Sequence, residues 1–258
     1  MFGQKKQTAW FFDSSVHLEA VSRLLYLIEV GEPFGVICGS DGCGRTRILV
    51  RLRQETERTG KLVVALNVSG LDEKAALLEL AMSISSATRR GMAWHELVLL
   101  LRDEIAGRIH CGVQTVILID DLHRAQSDMA PFLRLLTALN AGCSISGSRG
   151  KLTVVVATDR PLTNGLALES LLQIQLTPLN STESADFIRA LAERCRLPAG
   201  CLDDGAIRAI HDMSLGNTAR MARVCELITV LLEASPEIQV TAETISAVMS
   251  ELVPRAVA

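Results

Sequence analysis

Eight consecutive residues, Gly39-Ser40-Asp41-Gly42-Cys43-Gly44-Arg45-Thr46, place three glycines ahead of a basic and a hydroxyl side chain. The run fits the phosphate-loop spacing GxxxxGK[ST] with one departure, Arg45 in place of lysine. The glycines let main-chain N–H groups from Gly39 through Gly44 converge on phosphate oxygens. A helix that starts behind them adds the positive end of its dipole. Thr46 then has the hydroxyl that ligates Mg²⁺. A guanidinium at position 45 is planar and forked where an ammonium is a compact charge, so the exchange is not conservative. Arg47 follows two residues later and points elsewhere on a helix.

A second constellation closes the apolar run Val116–Asp120 with two carboxylates, Asp120 and Asp121. Beside a phosphate loop, the first acid holds Mg²⁺ through water and the second polarises the attacking water. Aspartate at 121 is one methylene shorter than the glutamate that usually serves. The run Leu152–Thr158 ends on Thr158 and Asp159, where a group sensing the γ-phosphate would sit. The plain alternatives are a Gly-rich strand-to-helix turn and polar residues at strand ends. Lone histidines at 95, 123 and 211 read as structural, and the cluster Trp10, Phe11 and Phe12 reads as an arm docked on an apolar surface.

These residues need elements to carry them. Apolar spacing predicts a helix over 15–30, a strand over 34–38, and a helix after the glycine loop that closes at Gly60. Strands are predicted at 62–68, 116–120, 152–158 and 173–176, with helical patterns over 71–88 and 94–109 and a further helix ending near 140. Short β-branched runs without strict polar alternation, separated by helices, imply a parallel sheet covered on both faces. A Gly/Ser-rich loop spans 141–150. After Pro178 only helical patterns follow, at 181–195, 203–213, 218–234 and 241–251. The expected fold is therefore α/β, a three-layer P-loop core of about five mainly parallel strands with a small all-helical C-terminal domain. The boundary places an N-terminal arm and core in 1–178 and the helical domain in 179–258.

Composition narrows the class. A chain of 258 residues with 48% hydrophobic but 3% aromatic residues builds an aliphatic core, and a formal net charge of −3 argues against a globally basic polymer binder. Seven cysteines lack CxxC spacing and read as reduced thiols, which points to the cytoplasm. No apolar run approaches the roughly 20 residues of a membrane-spanning helix.

The segments FFDSSVHLEAVSRLLYLIEVGEPFGVICGSDGCGRT and ILIDDLHRA resemble the AAA+ ATPases of general secretion and pilus biogenesis and the transposition ATP-binding proteins. The resemblance runs from Phe11 to about Leu232 and implies a helical lid. Its G-N-P-R-R signature reads here as Gly216-Asn217-Thr218-Ala219-Arg220, so Ala219 stands at the sensor arginine's place and Arg220 is its neighbour. The arginine that acts on a neighbouring subunit is expected before the last strand, where LALESLLQIQL has none. The resemblance implies ATP and Mg²⁺ as ligands and a protein partner such as a membrane-associated secretion or pilus component. Self-association remains open, and so does nucleic acid, although it is not favoured.

Arg45, Asp121, Ala219 and the missing finger converge on weakened hydrolysis, since phosphoryl transfer depends on charge placement. The leading expectation is slow Mg²⁺-dependent ATP hydrolysis, with Arg45, Asp120, Asp121 and Thr158 catalytic. Residues 39–46 and Arg220 would bind nucleotide, and Thr46 and Asp120 the metal. The alternatives are a non-hydrolysing scaffold or regulatory subunit and a transposition-type DNA-associated ATPase.

Overall fold

The computed structural model describes residues 10–142, 151–162, 171–198, 200–235 and 239–252. Helix α1 (Ser15–Val30) leads into β1 (Phe34–Cys38), and α2 (Arg45–Arg58) into β2 (Leu62–Asn67). Two helices follow, α3 (Glu73–Ile84) and α4 (Trp94–His110), then β3 (Thr115–Asp120), α5 (Ala130–Gly142), β4 (Leu152–Thr158) and β5 (Leu171–Gln175). Four helices complete the order: α6 (Ser181–Arg194), α7 (Asp204–Ser214), α8 (Thr218–Ala234) and α9 (Ala242–Leu252).

The strands form one sheet in the order β2-β3-β4-β1-β5, every neighbouring pair parallel. Burial explains the β-branched runs: β1, β3 and β4 are buried at every residue, so both faces of these strands are covered and mostly apolar. Alternation within each strand decides which layer a residue meets. Val64 and Leu66, Ile117 and Ile119, and Val154 and Val156 join a core with Leu77 and Leu80 of α3, Leu101 and Ile105 of α4, and Phe132 and Leu136 of α5. On the opposite face Leu49 and Val50 of α2 line one small cavity with Ala65 and Leu118. Beside them Leu24 and Leu27 of α1 lie against the backbone of Gly35.

Several expected bounds shift, for local reasons. The helix expected over 71–88 runs Glu73–Ile84, because Asp72 caps it by accepting from the Ala75 amide at 2.7 Å and Ser85 is already extended. β2 stops at Asn67 rather than Val68. The last strand is Leu171–Gln175, set by its register with Phe34–Cys38. The Gly/Ser-rich loop lies, from 143 to 150, outside the described residues. So do residues 166–170 of the stretch LALESLLQIQL, the place expected for a finger arginine.

The chain divides into two compact units. One comprises Met1–Phe11, His17–Ser40 and Arg45–Leu176, the other Phe12–Val16, Asp41–Gly44 and Thr177–Ala258. In the second, Asn180 and Glu183 form a reciprocal cap on α6, and Asp203 caps α7. His211 Nδ1 lies 2.9 Å from the Ser184 hydroxyl, which gives that histidine its structural role. The ring of Phe12 packs edge-on against Phe187 at 5.1 Å. Phe11, in the first unit, meets His17 edge-on and the Arg51 guanidinium, so only Phe12 shows the apolar docking expected of the aromatic cluster. None of the described cysteines is in a disulfide, Cys143 lying outside the described residues. Burial pushes the Cys225 thiol up to about 12. Among the described residues no helix is long and apolar enough to cross a membrane.

Candidate functional site

Parallel strands end on one edge, so the residues that close them gather there without further instruction. Cys38 pairs with Thr158 in register, and Asn67 with Asp120. The chain leaves β1 at Gly39, whose N–H donates to the Thr158 carbonyl at 3.2 Å, and re-enters helix at Arg45. Gly42 has a φ of +82° and Gly44 of +103°, backbone that residues with a Cβ rarely adopt, and this is what lets the loop turn back on itself.

Arg45 does not point into solvent. Its side chain is 6% exposed, and Nη1 donates to the carbonyl of Gly39, the first residue of the same loop. Nη2 lies 3.5 Å from His123 Nε2, so His123 flanks the guanidinium. An arginine is always charged. A carbonyl acceptor inside the loop offsets part of what burial costs that charge. Thr46, next in sequence, is exposed, as is Arg47.

Asp120 is 1% exposed at the end of β3. Its Oδ1 accepts from the Asp121 amide at 2.9 Å, while Oδ2 is buried without a hydrogen-bond partner among the described residues. Burial raises its pKa above the ordinary carboxylate value. The nearby Thr46 hydroxyl pulls it back down, the Asp121 charge pushes it up, and the Asp121 N–H and the Arg45 charge lower it again. A hard divalent cation suits an unpartnered carboxylate oxygen next to a threonine hydroxyl. Among the described residues no three His, Cys, Asp or Glu side chains converge on a metal position. Mg²⁺ at Thr46 and Asp120 would therefore complete its shell with phosphate and water oxygens.

Asp121 leaves the strand with a φ of 55°, the left-handed conformation that aspartate tolerates better than most residues, and starts a single 3₁₀ turn over Leu122–Arg124. Its Oδ2 accepts from Asn67 Nδ2 at 2.9 Å. The loops after β2 and β3 are bound together by Gly70 N–H to the Arg124 carbonyl (2.8 Å) and Gln126 N–H to the Leu71 carbonyl (2.9 Å), which fixes that pairing. Thr158 is buried on the adjoining strand end.

In the second unit, Asp41–Gly44 of the loop sit with the first turn of α8. Asn217 Nδ2 donates to the Asp41 carbonyl at 2.7 Å. Two donors share the Gly42 carbonyl, the Thr218 hydroxyl at 2.6 Å and the Ala219 amide at 3.1 Å. Cys43 is buried, while Ser40 and Asp41 are exposed. Arg220 is exposed on that same first turn, its amide capped by Asn217 Oδ1 at 3.1 Å.

The sheet edge thus brings together Gly39, Arg45, Thr46, Asp120, Asp121 and Thr158, and the loop's middle residues meet the start of α8. Sequence reasoning missed Asn67, whose signal was a polar residue closing an apolar strand in step with Asp120. It also missed Thr218, which carried none.

Residues 28–164, which contain the loop and both aspartates, match the AAA domain. The chain belongs to the AAA domain family of P-loop ATPases. It is 24% identical over 230 residues to general secretion pathway protein A of Aeromonas hydrophila. The match covers 84% of this chain and 40% of that protein, so the chain spans well under half of its relative. Cdc6p from Pyrobaculum aerophilum superposes with a TM-score of 0.64 at 16% identity, over 90% of this chain and 66% of that one. The Thermotoga maritima RuvB Holliday junction branch migration motor gives 0.56 at 14%, over 91% and 69%. At such identities the likeness establishes the fold, an AAA+ core with its five-stranded parallel sheet and C-terminal lid helices.

Proposed function

We propose that this AAA domain protein binds ATP with Mg²⁺ on the loop Gly39–Thr46, hydrolyses it slowly, and passes the nucleotide state to a protein partner of a secretion assembly. Residues 1–178 serve as the nucleotide core and 179–258 as the lid. One observation carries the reading: Asp120 holds a buried, unpartnered carboxylate oxygen close to the hydroxyl of Thr46, at the end of a glycine loop. Nothing in a plain strand-to-helix turn calls for that buried charge.

Mg²⁺ bound there would neutralise the charge on the β- and γ-phosphates. The main-chain N–H groups of 39–46 hold the phosphate oxygens, and Arg220 approaches as a lid cation. Asp121 takes a proton from the water that attacks the γ-phosphorus, and the bond to the bridging oxygen breaks with its electron pair leaving on ADP. Thr158 senses the γ-phosphate. Arg45 stabilises the charge that develops, but it must first release the Gly39 carbonyl. That requirement, with the short Asp121 already bonded to Asn67, favours slow turnover.

The secretion partner rests on the 24% likeness to general secretion pathway protein A and on the segments that first suggested it. Self-association is part of the same proposal. Calorimetric titration with ATP and Mg²⁺, followed by phosphate release against an Asp121→Asn control, tests it. Binding in the micromolar range with release above the control is expected, and release equal to the control removes the enzyme claim.

The seating of Arg45 on Gly39 also favours a second reading, a nucleotide-binding scaffold that does not hydrolyse. In that case Arg45→Lys creates a turnover that the native chain lacks. A DNA-associated role has less support, because the formal net charge is −3. It predicts duplex binding that falls steeply with salt.

A further inference from the structure

The first amides of a helix have no partner within it, and those of α8 are satisfied in an unusual way. Asn217 Oδ1 caps the Arg220 amide at 3.1 Å, while Nδ2 of the same side chain donates to the Asp41 carbonyl at 2.7 Å. The Ala219 amide, one residue earlier, goes to the Gly42 carbonyl at 3.1 Å, and the Thr218 hydroxyl joins it at 2.6 Å. Three donors from three successive residues therefore fix two successive carbonyls at the apex of the phosphate loop.

The fit is close on both sides. A Cβ added at Gly42 would lie 2.5 Å from Asn217 Oδ1 and 2.8 Å from the Ala219 Cβ. Gly42 must be glycine for its φ and again for this approach. The residue at 219, small where the family signature has arginine, lies directly over it.

We infer that Asn217 and Thr218 are positioning residues for nucleotide binding: by holding the Asp41 and Gly42 carbonyls outward, they keep the neighbouring N–H groups of the loop turned toward the phosphates. A peptide unit presents its N–H opposite its C=O, so fixing the carbonyl fixes where the next amide points. Where the signature of the family it resembles has an arginine, this chain has Ala219, whose amide takes part in the clasp on the loop. This inference rests on the proposal that the loop binds ATP.

The test uses the full chain and titrates ATP with Mg²⁺ into wild type, Asn217→Asp, Thr218→Val and Thr218→Ser. Aspartate at 217 still caps α8 but cannot donate to the Asp41 carbonyl, which separates capping from clasping. Losing one such hydrogen bond is expected to weaken ATP binding on the order of tenfold in Asn217→Asp and Thr218→Val, with Thr218→Ser restored to wild type. Wild-type affinity in either Asn217→Asp or Thr218→Val overturns the inference. So does a loss in Thr218→Ser equal to that in Thr218→Val. Amide exchange without nucleotide gives a separate readout. The Ala219 N–H, ordinarily an unprotected first-turn amide, is expected to be protected in wild type and to lose protection in Thr218→Val. An unprotected Ala219 in wild type overturns the clasp. Wild type that shows the protected amide but does not bind ATP overturns both the positioning role and the nucleotide reading, and leaves the clasp as a structural contact.

Discussion

The side-chain amide of Asn67 donates to Oδ2 of Asp121 at 2.9 Å, so the carboxylate proposed to take the water's proton is already engaged by the strand two places along the chain's sheet order from β1's neighbour β4. A carboxylate oxygen that already accepts a hydrogen bond must give up that bond before it can engage a water molecule. Asn67→Ala is therefore expected to raise phosphate release about threefold to tenfold while leaving ATP affinity unchanged. Steady-state release and calorimetry on the same variant check it, and a fall in both quantities would refute it.

Asp120 makes stability depend on pH in the direction opposite to that of a salt-bridged acid. Its folded-state pKa is raised above the ordinary 3.8, chiefly by burial, so the folded chain holds a proton that the unfolded chain has released in the window above 3.8. The contribution of Asp120 to stability is therefore full below that value and is lost as the pH rises through the raised pKa. Asp120→Asn is expected to raise Tm at pH 8 by on the order of 3 °C, with the gap closing toward pH 3.8. Mg²⁺ should raise the Tm of wild type and not that of the variant. Thermal melts across pH, with and without Mg²⁺, decide the matter.

Arg45 sits 6% exposed with its guanidinium on the Gly39 carbonyl. Lysine offers a compact charge that rotates freely toward β- and γ-phosphates and needs no planar acceptor. Arg45→Lys is expected to raise turnover at least tenfold, and Arg45→Ala to abolish it. Equal turnover in native and lysine proteins would show that the exchange has no catalytic consequence.

Gly216 tests the lid independently of nucleotide. It has a φ of +72°, and a Cβ there would come within 2.1 Å of the Leu179 carbonyl oxygen, a backbone atom that cannot rotate away. The same two residues are bonded from Leu179 N–H to the Gly216 carbonyl at 3.0 Å. Gly216→Ala is expected to cost about 2–3 kcal/mol, read from denaturant unfolding; a change under about 0.5 kcal/mol would contradict the geometry.

The local order of this protein was legible in its residues. Apolar runs such as Val116–Asp120 and Leu152–Thr158 can only be strands buried on both faces, and amphipathic stretches such as 15–30 can only be helices lying on them. The glycine loop and the paired aspartates followed from spacing, because backbone curvature and strand ends are properties of a few neighbouring residues. Tertiary structure alone decided what those residues touch. That Arg45 folds onto Gly39, that Asn67 from another strand engages Asp121, and that Asn217 and Thr218 clasp Asp41 and Gly42 from 176 positions away all depend on strand order and helix docking. Those are set by packing of the whole core, and periodicity in one segment carries no record of which distant segment will meet it.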